Sequence, residues 1–156
     1  MEFSQREIIE KNLKDVHNKK KAFIAGPIQG MEHDQSYRND LKKILEKYGY
    51  VVLDPWQREQ VLYSQENEQE LSGKSNIAGF IRRDLRDIEL CDIFVVYLPK
   101  ISAGACMELF YAKQFNKTTI AIIGFKDPSP WIIYHSDFIL ENIEDFEKFM
   151  KKRKES

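Results

Sequence analysis

The feature of this sequence that most constrains its fold is an alternation of short apolar runs with longer stretches of helical periodicity. Strands are predicted at 21–25, 50–53, 93–98, 118–123 and 138–140. Helices separate most of these runs, and strands alternating with helices favour a parallel sheet. The sequence therefore predicts an α/β domain built on a parallel sheet.

Helices are predicted at 35–48, 76–90, 103–115 and 143–152. The polar segment 57–75 has no clear period and is interpreted as broken helix or a mobile flap. The helix at 76–90 is expected to bury one apolar stripe, which consists of Ile77, Phe80, Ile81, Leu85 and Ile88.

Size and charge limit the number of domains and the kinds of partner. A chain of 156 residues with 42% hydrophobic residues fits one domain, predicted at 20–150, with a polar helical leader at 1–19 and a basic tail at 151–156. The 24 basic and 25 acidic residues nearly cancel, so neither a nucleic-acid polymer nor a membrane surface is expected as a partner. No apolar run approaches the roughly 20 residues of a membrane helix, and no signal core begins the chain. A cytoplasmic location is expected.

The cysteines and histidines form no recognisable motif. Cys91 and Cys106 lie in apolar segments outside any metal-ligand spacing, so buried thiols are expected, and neither a metal nor a cofactor is predicted. No Ser/His/Asp arrangement is present. His135, with Ser136, could contact a ligand, but a structural histidine is the favoured interpretation.

Three loops should converge at one edge of the sheet, because ligands of open parallel sheets bind beyond the carboxyl ends of the strands. They are 26–31, 54–57 and 99–104. In the first, Gly26 and Gly30 would let backbone N–H groups approach a ligand closely. The loop matches no dinucleotide or Walker motif, and a simple strand–helix joint explains it equally well.

The third loop leads into a helix that carries a candidate nucleophile. Ser102 is a natural N-cap, and its other possible role is to bind a ligand oxygen at the helix N-terminus. Glu108 lies on the second turn, with Gly104 one turn earlier on the same face, where no side chain would cover the carboxylate. A surface glutamate remains the simpler alternative.

A second carboxylate, Asp84, borders the apolar stripe of the preceding helix. A carboxylate near a core is costly unless it is paired or functional. The alternative to a functional role is a salt bridge with Arg82, Arg83 or Arg86. Asp87 is expected to face solvent.

Four stretches, in this order and spacing, resemble the nucleoside 2-deoxyribosyltransferase family over about residues 20–125. These are Phe23–Ile28, Gly49–Trp56, Asp84 placed eight residues before Asp92, and Gly104–Ala112 with Glu108 inside it. The resemblance implies a Rossmann-like, flavodoxin-like three-layer fold with about five parallel strands. It also implies Glu108 as nucleophile and Asp84 as the residue that holds or protonates the leaving base or the sugar. The substrate-binding residues it implies are Phe23, Gly26, Pro27, Ile28, Gln29, Gly30, Trp56, Ser102 and Gly104.

Three positions distinguish branches of that family. Transferases resembling this chain typically carry an aspartate where Ser102 stands, and a serine there resembles the branch that hydrolyses nucleoside 5′-monophosphates, where it contacts the phosphate. A neutral hydroxyl would also not repel a phosphate. Phe23 replaces a tyrosine that touches the nucleophile in many relatives, and Gln29 replaces a basic residue of some hydrolases. Lys100, Arg38 or a neighbouring subunit could supply the missing positive charge.

The predicted chemistry is double displacement on a small-molecule nucleoside or nucleotide. Glu108, kept ionised by the nearby helix N-terminus, would attack C1′ and expel the base, and water would then release the sugar. Phe23, Trp56 and Trp131 could stack on the base, although core packing explains them as well. The alternatives are base exchange by a transferase and a non-catalytic nucleotide sensor. The resemblance further implies a homodimer or larger homo-oligomer.

Overall fold

A computed structural model describes residues 4–60 and 74–155, except the side chains of 15–18 and 74–76. Five parallel strands form one sheet in the order β2-β1-β3-β4-β5, which is the flavodoxin-like order. The predicted parallel α/β fold is therefore confirmed. The strands are β1 (Lys21–Ala25), β2 (Val51–Leu53), β3 (Ile93–Leu98), β4 (Thr118–Ile123) and β5 (Phe138–Leu140).

Helices cover both faces of the sheet and complete the three layers. One core lies between the sheet and the helices at 37–47 and 143–155, and the other lies between the sheet and the helices at 74–90, 103–114 and 130–135. The strand β1 contributes to both, with Ile24 in the first core and Phe23 in the second, because successive side chains of a strand point to opposite faces. The helices are α1 (Gln5–Asn18), α2 (Tyr37–Lys47), α3 (Trp56–Glu59), α4 (Lys74–Leu90), α5 (Ala103–Gln114), α6 (Pro130–His135) and α7 (Ile143–Glu155).

The helix α4 differs from its predicted stripe. Ile88 is fully buried as expected, but Ile77 and Ile81 are 40% and 51% exposed. Asp84, one helical turn before Ile88, is instead among the buried residues. The inward face of this helix therefore presents a carboxylate where an apolar contact was expected.

The basic run near the C-terminus and the polar segment differ in part from their sequence interpretation. The basic run at 151–154 continues α7 as regular helix, where the sequence was interpreted as a tail. Lysine and arginine side chains at a helix C-terminus interact favourably with its dipole. Within the predicted flap, 57–59 belongs to α3, while 61–73 lies outside the described residues. None of the helices that the structure describes is long and apolar enough to cross a membrane.

Candidate active site

A pocket of about 1000 Å³ opens at the carboxyl ends of the strands, where the fold places ligands. The β1 loop contributes to its wall, as do α3, α4, α5 and α6. The polar and glycine positions that line it are Gly26, Gln29, Glu59, Asp84, Lys100, Ser102, Gly104, Glu108, Ser129 and His135. The two predicted catalytic residues therefore lie on one cavity.

Glu108 projects from the second turn of α5 into this pocket. Part of the residue reaches the surface, but its Oε2 atom is buried and has no hydrogen-bond partner among the described residues. Burial, and next the negative charge of Asp84, raise the pKa of Glu108 to about 8, while Arg38 lowers it. The expectation that the surroundings favour the ionised form is therefore wrong. Removing the carboxylate from water disfavours its charged form more than the positive end of α5 favours it.

Asp84 is 8% exposed and takes its ion-pair partner from α3, not from its own helix. Arg58 Nη2 lies 3.1 Å from Asp84 Oδ1 and 2.7 Å from Asp87 Oδ2. The three arginines of α4 that were considered as partners are exposed. The prediction that Asp87 faces solvent is also wrong, since its side chain is 19% exposed and ion-paired.

Glu59 is a third pocket carboxylate, which the sequence analysis missed. It ends α3 and is 8% exposed. Burial raises the pKa of Glu59 well above its ordinary value, and a hydrogen bond with Asp84 and the charges of Asp84 and Glu108 raise it further. Glu59, Asp84 and Glu108 together are called the carboxylate cluster below.

A second set of buried polar residues lies next to the β1 loop without lining the pocket. Arg38 is 2% exposed, and its Nη1 and Nε atoms donate hydrogen bonds of 2.7 Å to Asp54 Oδ1 and Gln35 Oε1. It also donates to the carbonyl oxygens of Ile24 and Gly26 at 3.4 and 3.3 Å. Gln35, Arg38 and Asp54 are called the arginine cluster below. Because Arg38 is committed to these contacts and does not line the pocket, it holds the β1 loop instead of offering a charge to a ligand.

The predicted anion side of the pocket is formed by the start of α5. Ser102 caps the helix and accepts a hydrogen bond of 3.3 Å from the Ala105 N–H, so its hydroxyl hydrogen is left for another acceptor. The exposed Lys100 lines the same wall. At Gly104, a Cβ would meet nothing within 4 Å among the described residues, which leaves room for a ligand beside Glu108.

Some predicted binding residues lie elsewhere. Phe23 is fully buried and stacks on Phe94 with 5.6 Å between ring centroids, so neither face is open to a base. Pro27 is buried, and its carbonyl oxygen accepts hydrogen bonds from the Gln35 and Tyr37 side chains. Gly30 and Trp56 do not line the pocket, whereas Gly26, Ile28 and Gln29 do.

The most exposed aromatic side chain of the pocket comes from α6. Trp131 is 74% exposed and lines the pocket. His135 is buried, and its Nδ1 lies 2.6 Å from the Trp131 carbonyl oxygen. Since a carbonyl only accepts, Nδ1 carries a proton, and the neutral ring would have its free lone pair on Nε2. This internal contact agrees with the structural interpretation of His135.

Comparisons with known proteins match both the sequence and the fold. A family model described as nucleoside 2-deoxyribosyltransferase matches residues 22–150. A 2-deoxyribosyltransferase from Bacillus psychrosaccharolyticus has a similar structure, with 19% identity and a TM-score of 0.65 over 81% of this chain and 90% of that one. No curated protein matched the sequence.

Two further solved structures share the fold at lower identity. A 2-desoxiribosyltransferase from Leishmania mexicana is 16% identical, with a TM-score of 0.57 over 85% of this chain and 97% of that one. The CMP N-glycosidase BcmB from Clostridium botulinum is 18% identical, with a TM-score of 0.53 over 85% and 99% of the two chains.

Proposed function

The chain belongs to the nucleoside 2-deoxyribosyltransferase family, and from that membership we propose that it is an N-glycosidase of nucleoside 5′-monophosphates that works through a covalent glycosyl ester on Glu108. The family consists of enzymes that transfer or cleave the glycosyl bond of nucleosides. Beyond family membership, we propose that water accepts the sugar, that the substrate carries a 5′-phosphate, and that Glu108 and Asp84 perform the chemistry.

The observation that carries the proposal is the position of Glu108. Its Oε2 atom is buried beside Asp84 on an open pocket and has no partner among the described residues, so a ligand atom could take that place. A buried polar atom left without a partner costs stability, and such atoms are concentrated where function requires them.

The proposed reaction has two steps. Ionised Glu108 attacks C1′, the bond from C1′ to the base nitrogen breaks, and Asp84 gives its proton to the departing base. A water molecule then attacks C1′ of the ester, its proton returns to Asp84, and Glu108 is released as a carboxylate. The sugar leaves with its original anomeric configuration because C1′ is inverted twice.

The monophosphate preference is supported by the start of α5. The Ser102 hydroxyl, the first N–H groups of the helix and the Lys100 ammonium all favour an anion. A CMP N-glycosidase shares this fold, which makes CMP a reasonable first substrate to assay.

A panel of nucleosides and their 5′-monophosphates, scored for free base, tests the proposal. Wild type should release base from at least one monophosphate faster than from its nucleoside. Glu108→Gln should abolish release, and mass spectrometry of quenched wild type should find a sugar phosphate on the peptide that contains Glu108. Glu141→Gln, on an exposed loop, is the matched control. Base release by Glu108→Gln at the wild-type rate would refute the nucleophile.

Base exchange is the second candidate, because it is the reaction for which the family is described. Adding a free acceptor base to the assay separates the two. A transferase would form a new nucleotide in proportion to the acceptor, whereas a hydrolase would form free sugar phosphate at the same rate with or without it. Membership of an enzyme family favours either reaction over the non-catalytic sensor.

We also propose that a second copy of the chain covers the pocket mouth. Ile101, Met107 and Trp131 line the pocket and are 66%, 72% and 74% exposed. Large apolar side chains clustered at a site entrance are typical of an interface. Light scattering should show a dimer or larger, and Met107→Glu should shift it towards monomer. The reaction is proposed to take place in the cytoplasm.

A further inference from the structure

We infer that Glu59 is a positioning residue that shares one proton with Asp84, so that the proton for the leaving base stays in the pocket while Glu108 is ionised. This inference rests on the proposed function. Glu59 would act through Asp84 and not on the substrate itself.

Three different helices bring the carboxylate cluster together. Glu59 is the last residue of α3, Asp84 lies on α4, and Glu108 lies on α5, yet all three line one cavity. Glu59 and Asp84 are each 8% exposed. Two carboxyl groups that are hydrogen-bonded to each other away from water require a proton between them, since a carboxylate can only accept.

The nearby cations do not balance these acids. Arg38, on α2, is paired with Asp54. Arg58, on α3, is paired with both Asp84 and Asp87. Glu59 and Glu108 therefore have no cation of their own in the part of the chain that the structure describes.

The position of Arg58 decides which carboxyl group of the pair retains the proton. Its Nη2 atom donates a hydrogen bond of 3.1 Å to Asp84 Oδ1, whereas no cation makes such a contact with Glu59 among the described residues. Glu59 is left to hold the proton and donate it to Asp84. Burial and the two neighbouring carboxylates raise the pKa of Glu59 in the same sense.

The proton then has a defined course in the reaction. As the C1′–N bond breaks, Glu59 passes its proton to Asp84, and Asp84 delivers it to the base nitrogen. When water attacks the glycosyl ester, the proton it loses returns to Asp84 and then to Glu59. No proton is gained or lost by the pair over one turnover, and no other reactant is required.

The test compares Glu59→Gln with wild type on two substrates that share a sugar phosphate. CMP has a leaving group that needs a proton, and a 4-nitrophenyl riboside 5′-phosphate has one that does not. Glu59→Gln should lower kcat at least tenfold on CMP and less than threefold on the nitrophenyl substrate. The basic limb of the CMP pH–rate profile should move to lower pH by about one unit in this variant, because the carboxyl group of Glu59, whose raised pKa keeps the shared proton in place, is gone.

Glu59→Asp is the second variant and keeps a titratable group. It should restore the basic limb even where kcat stays reduced, and thermal unfolding of both variants would show whether they fold. Equal losses on the two substrates with an unmoved limb would overturn the inference and leave Glu59 a purely structural residue.

The proposed function is checked in the same assays. If wild type releases cytosine and Glu108→Gln does not, while Glu59→Gln behaves as wild type, then the inference alone fails. If wild type releases base from no monophosphate of the panel, or Glu108→Gln is as active as wild type, then the proposed function fails.

Discussion

The arginine cluster and the carboxylate cluster are both buried polar groups at the carboxyl end of the sheet, but they are opposite in balance. Arg38 is paired with Asp54 at 2.7 Å and also reaches Gln35 and two backbone carbonyls. In the carboxylate cluster three acids converge, and the Glu108 Oε2 atom is unpartnered among the described residues. The first arrangement holds a loop in place. The second is arranged at the expense of stability, which is typical of a site for chemistry.

Removing the positive charge from the arginine cluster should have the largest effect on stability. Arg38→Met should lower the free energy of unfolding by about 3–5 kcal/mol, because Asp54, whose side chain is 13% exposed, would be left without its cation. Urea unfolding measures the change. Arg58→Met is the control and should cost clearly less, since the Arg58 side chain is 32% exposed and water screens its ion pairs. Equal losses in the two variants would show that the clusters do not differ in this way.

Removing the charge of Glu108 from the carboxylate cluster should raise the stability of the protein, and only at higher pH. The pKa of Glu108 is raised from 4.5 to about 8 in the folded chain, so the native state binds the extra proton and loses stability as pH rises between those values. Glu108→Gln should therefore unfold with the same free energy as wild type below pH 4.5. Above pH 8 it should be more stable by a few kcal/mol, at about 1.4 kcal/mol per pKa unit.

Thermal unfolding at pH 4.5, 6.5 and 8.5 measures this difference. A stability gain that is the same at all three values would mean that the charge of Glu108 is not its cause. A loss at pH 8.5 would contradict the burial of an unpaired carboxylate.

One glycine beside each cluster offers a smaller test. Gly26 contributes a carbonyl to the arginine cluster, and a Cβ there would lie 2.2 Å from the Tyr37 hydroxyl, which is itself held by Pro27. Gly26→Ala should cost about 1–3 kcal/mol through overpacking. Gly104→Ala should cost nothing and could gain helix stability, because its Cβ enters open space.

Activity should separate the same two variants in the other direction. Gly104→Ala places its methyl group in the ligand space beside Glu108, so KM should rise while the fold is unchanged. Urea unfolding and base-release kinetics on both variants provide the measurement. An unchanged KM in Gly104→Ala would place the substrate elsewhere in the pocket.

The smallest expected effect comes from adding one more acid to the pocket. Ser102→Asp should lower the preference for a monophosphate over its nucleoside by about tenfold, or roughly 1.4 kcal/mol, because the new carboxylate repels the phosphate. The helix should stay capped, since aspartate is as good an N-cap as serine. Competition between CMP and cytidine for free-base release measures the ratio, and an unchanged ratio would remove the argument for phosphate at this position.

Local pattern was enough to predict most of the fold. The strands at 21–25, 93–98, 118–123 and 138–140 occur where the apolar runs predicted them, because these runs are bounded by clear turn residues. The pairing of Glu108 with Asp84 in one pocket was also predicted, on the resemblance. The inward face of α4 was not, because an apolar stripe at helical spacing does not reveal that a neighbouring helix will bury Asp84.

The missed residues share one physical reason. Arg58 and Glu59 lie in a polar stretch whose composition resembles an ordinary solvated segment. Arg58 contacts Asp84 and Asp87 of α4, and Glu59 lines a cavity that α4 and α5 also line, about 25 and 50 residues later in the chain. No local period records such long-range neighbours. Phe23 is the reverse case. Its family position suggested a ligand contact, while its strand alternation placed it in the core against Phe94.

The exposed apolar surface of α5 should affect how the protein behaves in dilute and cold solutions. Its inner side packs in the core through Leu109, yet Met107 and Phe110 on its other sides are 72% and 48% exposed. If a second copy covers these side chains, the association is driven largely by release of water from apolar surface, and this force weakens on cooling. Specific activity should then fall on dilution, fall further in the cold, and return on concentrating and warming the sample.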